Sequence, residues 1–261
     1  MGWIEALLLG IIQGLTEFLP VSSSGHLELG KALLGVEAQE SLMFTVVVHG
    51  ATVLSTIVVF RKDIALIIRG FFEFRWNDDT EYIVKIIISM LPVAIIGLCF
   101  KDAVKEIFNN DNIILIVGFM LLITAALLAF TYYSKQKNKK ISYIDALLIG
   151  IAQAFAVMPG ISRSGATIAT GLLLGNKKAE AAKFSFLMVL IPILGQNFLD
   201  IFSGKISSET DISGVALGIG FIAAFISGLL ACKWMISIVK RGKLVYFAAY
   251  CLVIGFTAIF I

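Results

Sequence analysis

Residues 5–35, EALLLGIIQGLTEFLPVSSSGHLELGKALLG, and residues 145–175, DALLIGIAQAFAVMPGISRSGATIATGLLLG, align without a gap at an offset of 140 positions. Twelve of the 31 aligned positions are identical. Ser22, Ser24 and Gly25 fall on Ser162, Ser164 and Gly165, and Leu33, Leu34 and Gly35 on Leu173, Leu174 and Gly175. The register continues to Glu40 and Phe44, which fall on Glu180 and Phe184. Each stretch has the same plan. An apolar helix (3–19, 144–158) meets a polar turn, PVSSSGH at 20–26 or PGISRSG at 159–165, and a run of about ten residues follows. At about 1.5 Å per residue that run falls well short of a hydrocarbon core of about 30 Å. Each stretch is therefore predicted to be a re-entrant helical hairpin that leaves the membrane by the face it entered.

Outward from the hairpins, six apolar runs are long enough to cross a bilayer: roughly 42–60, 82–100, 112–133, 184–203, 212–232 and 244–261. With 59% hydrophobic residues, 15% charged residues and a mean hydropathy of +0.95, the chain has too much apolar surface for a water-soluble domain of 261 residues. One hairpin and three spans per half make the second half start from the opposite face, so the repeats are inverted. The expected fold is an all-α polytopic membrane protein, with six transmembrane helices plus two re-entrant helical hairpins in an inverted-topology internal repeat. It forms a single transmembrane domain of two repeats, about 1–134 and 141–261, joined by a basic linker at 135–140.

Sixteen basic residues, from Arg61 to Lys85 and in the Lys135–Lys140, Lys177–Lys183 and Lys233–Lys243 segments, collect on one face; Lys31, Lys101, Lys105 and Lys205 lie on the other. The positive-inside rule makes the first face cytoplasmic and puts both termini and the mouth of the first hairpin outside. A net charge of +3 is thus a topology signal, and no nucleic-acid partner is expected. The stretch Ile64–Trp76 reads as a helix on the cytoplasmic interface. Cys99, Cys232 and Cys251 read as core residues. No basic head or small-residue cleavage site marks the N-terminus, so no removable signal peptide is expected.

The candidate chemistry lies in the two turns. Gln13 and Glu17 share a helix face, and a carboxylate at membrane depth needs a partner or a wet cavity. Pro20 stops that helix, the hydroxyls of Ser22, Ser23 and Ser24 follow, and His26 opens the next. In the second hairpin Val157 stands opposite Glu17, and Arg163 opposite Ser23. Arg163 offers a planar fork of donors for phosphate oxygens; Ser162, Ser164 and Thr167 add hydroxyls at a helix N-terminus. Taken alone, Glu17 and Arg163 also fit a structural ion pair, the serines fit helix caps, Thr167 a back-bonded threonine, and His49 a helix-packing residue. Only His26 and His49 are histidines, with no metal-ligand spacing, so no metal site built from protein is expected.

These motifs, Gln13 four residues before Glu17, PVSSSGH at 20–26 and PGISRSGAT at 159–167, resemble along essentially the whole chain the bacitracin-resistance type of undecaprenyl-diphosphate phosphatase. The resemblance implies an integral membrane enzyme of a bacterial plasma (inner) membrane, hydrolysing the C55 isoprenoid diphosphate to the monophosphate for peptidoglycan synthesis, with its site open to the outer face. It implies Glu17, His26, Ser23 and Arg163 as catalytic residues, and Gln13, Ser22, Ser24, Ser162, Ser164 and Thr167 as contacts to the phosphates. Arg163 is expected to clamp the diphosphate, and Ser23 to attack phosphorus or position water. His26 would exchange the Ser23 proton with Glu17 assisting, and phosphorylation of His26 itself is the alternative. A magnesium or calcium ion arriving with the diphosphate, and a homodimer, stay open. The rival readings are a polyprenyl-phosphate flippase on the same scaffold and an intramembrane serine hydrolase. Arg163 among hydroxyls suits phosphate better than acyl chemistry.

Overall fold

In a computed structural model the structure describes residues 1–36, 38–134, 137–202 and 212–260. Before the basic linker the chain forms α1 (Trp3–Phe18), α2 (Ser23–Leu34), α3 (Ala38–Val59), α4 (Arg61–Phe71), α5 (Asp78–Cys99), α6 (Lys101–Phe108) and α7 (Ile113–Phe130). After it come α8 (Tyr143–Phe155), α9 (Arg163–Leu173), α10 (Lys178–Met188), α11 (Leu190–Phe202), α12 (Gly214–Arg241) and α13 (Val245–Phe260). The fold is all-helical among the described residues, where only one isolated bridge, Lys139 to Asn176, is extended pairing.

Both predicted turns are built from the same local rules. Leu19 precedes Pro20 and is held extended at φ −71°, ψ 144°, which ends α1. Ser22 takes a left-handed φ of 71°, and its Oγ accepts from the Gly25 N–H at 3.2 Å to start α2. In the second turn Ser162 Oγ accepts from the Gly165 N–H at 3.0 Å and starts α9. The reversal before it uses Gly160 at φ 98°, where a side chain would also meet Val117 O at 2.7 Å. Helices α2 and α9, of 12 and 11 residues, reach only about 16–18 Å, too little to cross a bilayer.

Packing follows a reciprocal pattern. Helix α1 lies along α12 while α8 lies along α5, α1 packs on α2 as α8 packs on α9, and α7 pairs with α13. Small residues bring the backbones together: a Cβ on Gly14 would fall 2.0 Å from Ser227 Oγ, and one on Gly150 would fall 2.2 Å from Ser89 O. Phe44 and Phe184, aligned in the sequence repeat, are both fully buried, and each anchors its own apolar cluster. Phe44 packs with Leu9, Leu27 and Val48, and Phe184 with Ile149, Ile168 and Leu187.

Helices α5, α7 (continued by a tight turn to Tyr133) and α12 are long and apolar enough to cross a membrane, and α3 joins α4 through a 76° bend. Ile222, Ile226 and Leu230, spaced by four on α12, are each more than half exposed. Such a stripe along one helix face is what lipid covers. The chain is a multi-pass membrane protein.

Some elements differ from expectation. The single run expected at 184–203 is two helices, α10 and α11, meeting at Val189. Pro192 explains this, because it has no N–H to offer the Met188 carbonyl. The interfacial helix expected over Ile64–Trp76 spans Arg61–Phe71 instead; Phe72, Phe74 and Trp76 follow in an exposed turn, with Phe74 at φ 50°. Helix α12 runs on to Arg241, past the expected end at 232, and closes on Gly242 at φ 70°. The short α6 was not expected. In the linker, Lys139 Nζ lies 2.9 Å from Asp145 Oδ1, and the buried Asn176 donates to Asp145 Oδ2 at 3.0 Å, so this lysine locks the start of α8. Residues 203 and 261 at the ends of two expected spans, with Lys135 and Lys205 from the charge comparison, lie outside the described residues. So does the side chain of Glu40.

Candidate active site

The two turns touch. Ser164 Oγ donates to Leu19 O at 3.2 Å, and a Cβ on Gly25 would stand 3.1 Å from Gly160 Cα. No wall of aliphatic side chains separates them. Thr124 on α7 ties the second turn from behind, donating to Gly160 O at 3.2 Å and accepting from the Ser162 N–H at 3.1 Å.

Glu17, in the last turn of α1, is the centre of the contacts. Its Oε2 accepts from Ser23 Oγ at 2.6 Å and from Gln13 Nε2 at 3.0 Å, and His49 Nε2 lies 3.8 Å away. The helix places Gln13 one turn below Glu17, and the Pro20 reversal brings Ser23 back over it. Gln13 is fully buried, and its Oε1 has no hydrogen-bond partner among the described residues.

Arg163, the first residue of α9, lines a cavity together with Glu17, Ser164, Thr52, Thr56 and Ser185, walled by Phe18, Phe186, Val189 and Leu190. Its positive charge acts on Glu17. Among the described residues the guanidinium closes no ion pair on the carboxylate, so its fork of donors stays available to an anion. Ser185 on α10 joins the same lining with a buried hydroxyl that has no partner among the described residues.

The other sequence candidates fall into two groups. Ser22 and Ser162 are buried helix caps, with Ser24 Oγ 3.4 Å from Ser22 Oγ and Ser164 Oγ 3.3 Å from Ser162 Oγ. Thr167 is buried and donates to Arg163 O at 2.9 Å, so its hydroxyl proton is used within its own helix. His26 does not meet Ser23. Its Nδ1 lies 2.9 Å from Ser22 O, one turn back, and its Nε2 lies 2.8 Å from Tyr250 Oη. The expected Ser23–His26 proton exchange is therefore replaced by a Ser23–Glu17 contact, because the imidazole turns back toward the start of its own helix.

His49, Thr52, Thr56, Ser185 and Tyr250 were not among the sequence candidates. For α3 a signal existed: His49, Thr52 and Thr56 at i, i+3 and i+7 form a polar stripe on an apolar helix. Ser185 and Tyr250 are single polar residues in apolar runs, and only their partners from distant elements distinguish them. Among the described residues no group of three or more His, Cys, Asp or Glu is placed to hold a metal ion.

A family model described as "Bacitracin resistance protein BacA" matches residues 6–257. A Parabacteroides distasonis protein named undecaprenyl-diphosphatase is 58% identical over 99% of this chain and 98% of its own length. Its namesake from Bacteroides fragilis is 59% identical with the same coverage. One from the archaeon Korarchaeum cryptofilum is 40% identical over 96% of each chain.

Proposed function

The chain belongs to the bacitracin resistance protein BacA family, and from that premise we propose that it is an undecaprenyl-diphosphatase, hydrolysing undecaprenyl diphosphate to undecaprenyl phosphate and inorganic phosphate. The observation that carries the mechanism is Ser23 Oγ donating to Glu17 Oε2 at 2.6 Å on the edge of a cavity that Arg163 also lines. A hydroxyl aimed at a carboxylate is a nucleophile beside its base.

Ser23 Oγ attacks the terminal phosphorus while its proton passes to Glu17. The bond from phosphorus to the bridging oxygen breaks, and undecaprenyl phosphate leaves with the electron pair. Glu17 passes that proton to the departing undecaprenyl phosphate; water then attacks the phosphoserine, and Glu17 takes a proton from the water and returns it to the Ser23 oxygen as orthophosphate is released. Through both steps Arg163 faces the equatorial oxygens, where negative charge is concentrated, and stabilises the transition state more than the ground state. Gln13 and His49 hold the carboxylate on line. A divalent ion arriving with the diphosphate would be held by Glu17 and by Gln13 Oε1, which has no partner among the described residues, and would neutralise phosphate charge.

The test is phosphate release by purified protein in detergent, where no second compartment exists. Release from the C55 diphosphate is expected; its absence from folded protein would leave the flippase alternative, which gains no support from the relatives named above. Trapped label on Ser23 is expected in the phosphoenzyme, and label on His26 would assign the nucleophile there.

The finer architecture completes the proposal: six crossings and two re-entrant hairpins in inverted repeats, in a bacterial plasma membrane, with both termini and the site mouth outside. The reciprocal packing of α1 on α12 and α8 on α5, and the matching serine caps, support two repeats. The basic-residue asymmetry supports the orientation. With the native cysteines replaced, a cysteine at Lys101 should react with a membrane-impermeant maleimide on intact cells and one at Lys240 only after lysis. The opposite pattern would invert the topology.

A further inference from the structure

The cavity that Glu17 and Arg163 share is lined by four residues with a side-chain hydroxyl, Thr52, Thr56, Ser164 and Ser185. Thr52 Oγ1 donates to His49 O at 2.9 Å and Thr56 Oγ1 to Thr52 O at 3.0 Å, both within α3. Ser164 Oγ donates to Leu19 O at 3.2 Å, in the first turn. A hydroxyl has one proton to give, so these three are committed to carbonyls. The fourth is not. Ser185 is only 3% exposed, yet its Oγ has no hydrogen-bond partner among the described residues.

That state is exceptional for a serine in the body of a helix, which ordinarily gives its proton to a carbonyl three or four residues back. Thr16, Ser89 and Ser227, each buried in a helix, do so. Ser185 is the eighth residue of α10, with the carbonyls of Ala181 and Ala182 one turn behind it. Among the described residues it is the one buried serine or threonine whose hydroxyl makes no bond. A buried hydroxyl left unbonded costs free energy, and the cost is recovered when a ligand supplies the acceptor.

We propose that Ser185 is a further substrate-binding residue, donating its hydroxyl proton to an oxygen of the diphosphate in the cavity where Arg163 supplies the positive charge. The inference rests on the functional reading above and adds α10 to the elements that hold the substrate. Of the four hydroxyls, this one can meet the anion without giving up a carbonyl, and alanine in its place removes a donor while breaking no bond of the free protein.

The experiment uses the full chain in detergent. In a Glu17→Gln background, where turnover is slowed and substrate persists, undecaprenyl diphosphate is titrated with and without Ser185→Ala. The added substitution is expected to weaken binding by about ten- to a hundredfold, the worth of one hydrogen bond to a charged acceptor. With Glu17 intact, Ser185→Ala is expected to lower kcat/KM by the same factor and to leave thermal unfolding of the substrate-free protein unchanged or raised. Unchanged binding would overturn the inference, also where kcat alone falls, since the hydroxyl would then serve the attacking water. A Ser185→Ala protein that melts earlier, or does not fold, would make the serine structural and overturn it as well. Wild-type protein that binds the diphosphate but releases no phosphate would remove the functional reading, while the binding comparison still stands. Phosphate release by the wild type with Ser185→Ala equal to it in binding and turnover would remove only the role of Ser185.

Discussion

Replacing Arg163 by lysine is expected to lower turnover of the lipid diphosphate by roughly 100- to 1000-fold while the protein stays folded. The charge is kept, so attraction of the substrate persists and KM should change far less than kcat. What disappears is the planar fork. A guanidinium at the first position of α9 can give two parallel hydrogen bonds to phosphate oxygens, whereas an ammonium presents one point of charge on a flexible stem. Because Arg163 closes no ion pair on Glu17 among the described residues, the substitution breaks no native salt bridge, and a fall in rate reads as lost transition-state stabilisation. Steady-state kinetics on detergent-solubilised protein provide the check. A lysine variant keeping more than about a tenth of wild-type kcat would contradict the clamp.

Glu17→Gln should be comparably damaging for a different reason. The amide has nearly the shape of the carboxylate and can still accept from Ser23, but it cannot take the proton. Loss of a general base is expected to cost roughly 100- to 10,000-fold in kcat. The same change removes a buried charge and its cost of desolvation, which offsets the counter-charge lost to His49, 3.8 Å away, and to Arg163, so thermal stability in detergent should hold. Activity lost together with folding would point to a structural carboxylate, and activity retained would transfer the base role away from Glu17.

The parts of the site that local chemistry governs were legible from the residues. Pro20 ends one helix and Ser22 starts the next through a contact three residues away, and Gly165 meets Ser162 in the same way, so a reader of the sequence can place both turns. Glu17 and Ser23 are six residues apart across a proline reversal, close enough for their meeting to be guessed. Tyr250 is 224 positions from His26 and carries no mark in an apolar run, so the true partner of that imidazole was hidden. His49 reads as a packing residue in an apolar helix, although the hydroxyls of Thr52 and Thr56 on the same face mark a more polar stripe. The repeat alignment pairs Phe44 with Phe184, both buried, but says nothing of the break at Val189, which depends on Pro192, opposite Thr52 in the alignment.

That break bears on the supply of the second reactant. A carbonyl released by Pro192 at this depth is tolerated only where solvent or protein can reach it, and Val189 and Leu190, at the junction of α10 and α11, line the cavity that holds Glu17 and Arg163. The interruption in the helix therefore sets irregular backbone beside the groups that would react. Each cycle of the proposed reaction consumes one water molecule to free the phosphorylated side chain, and polar backbone in this wall would give that molecule a place to rest in an apolar bundle.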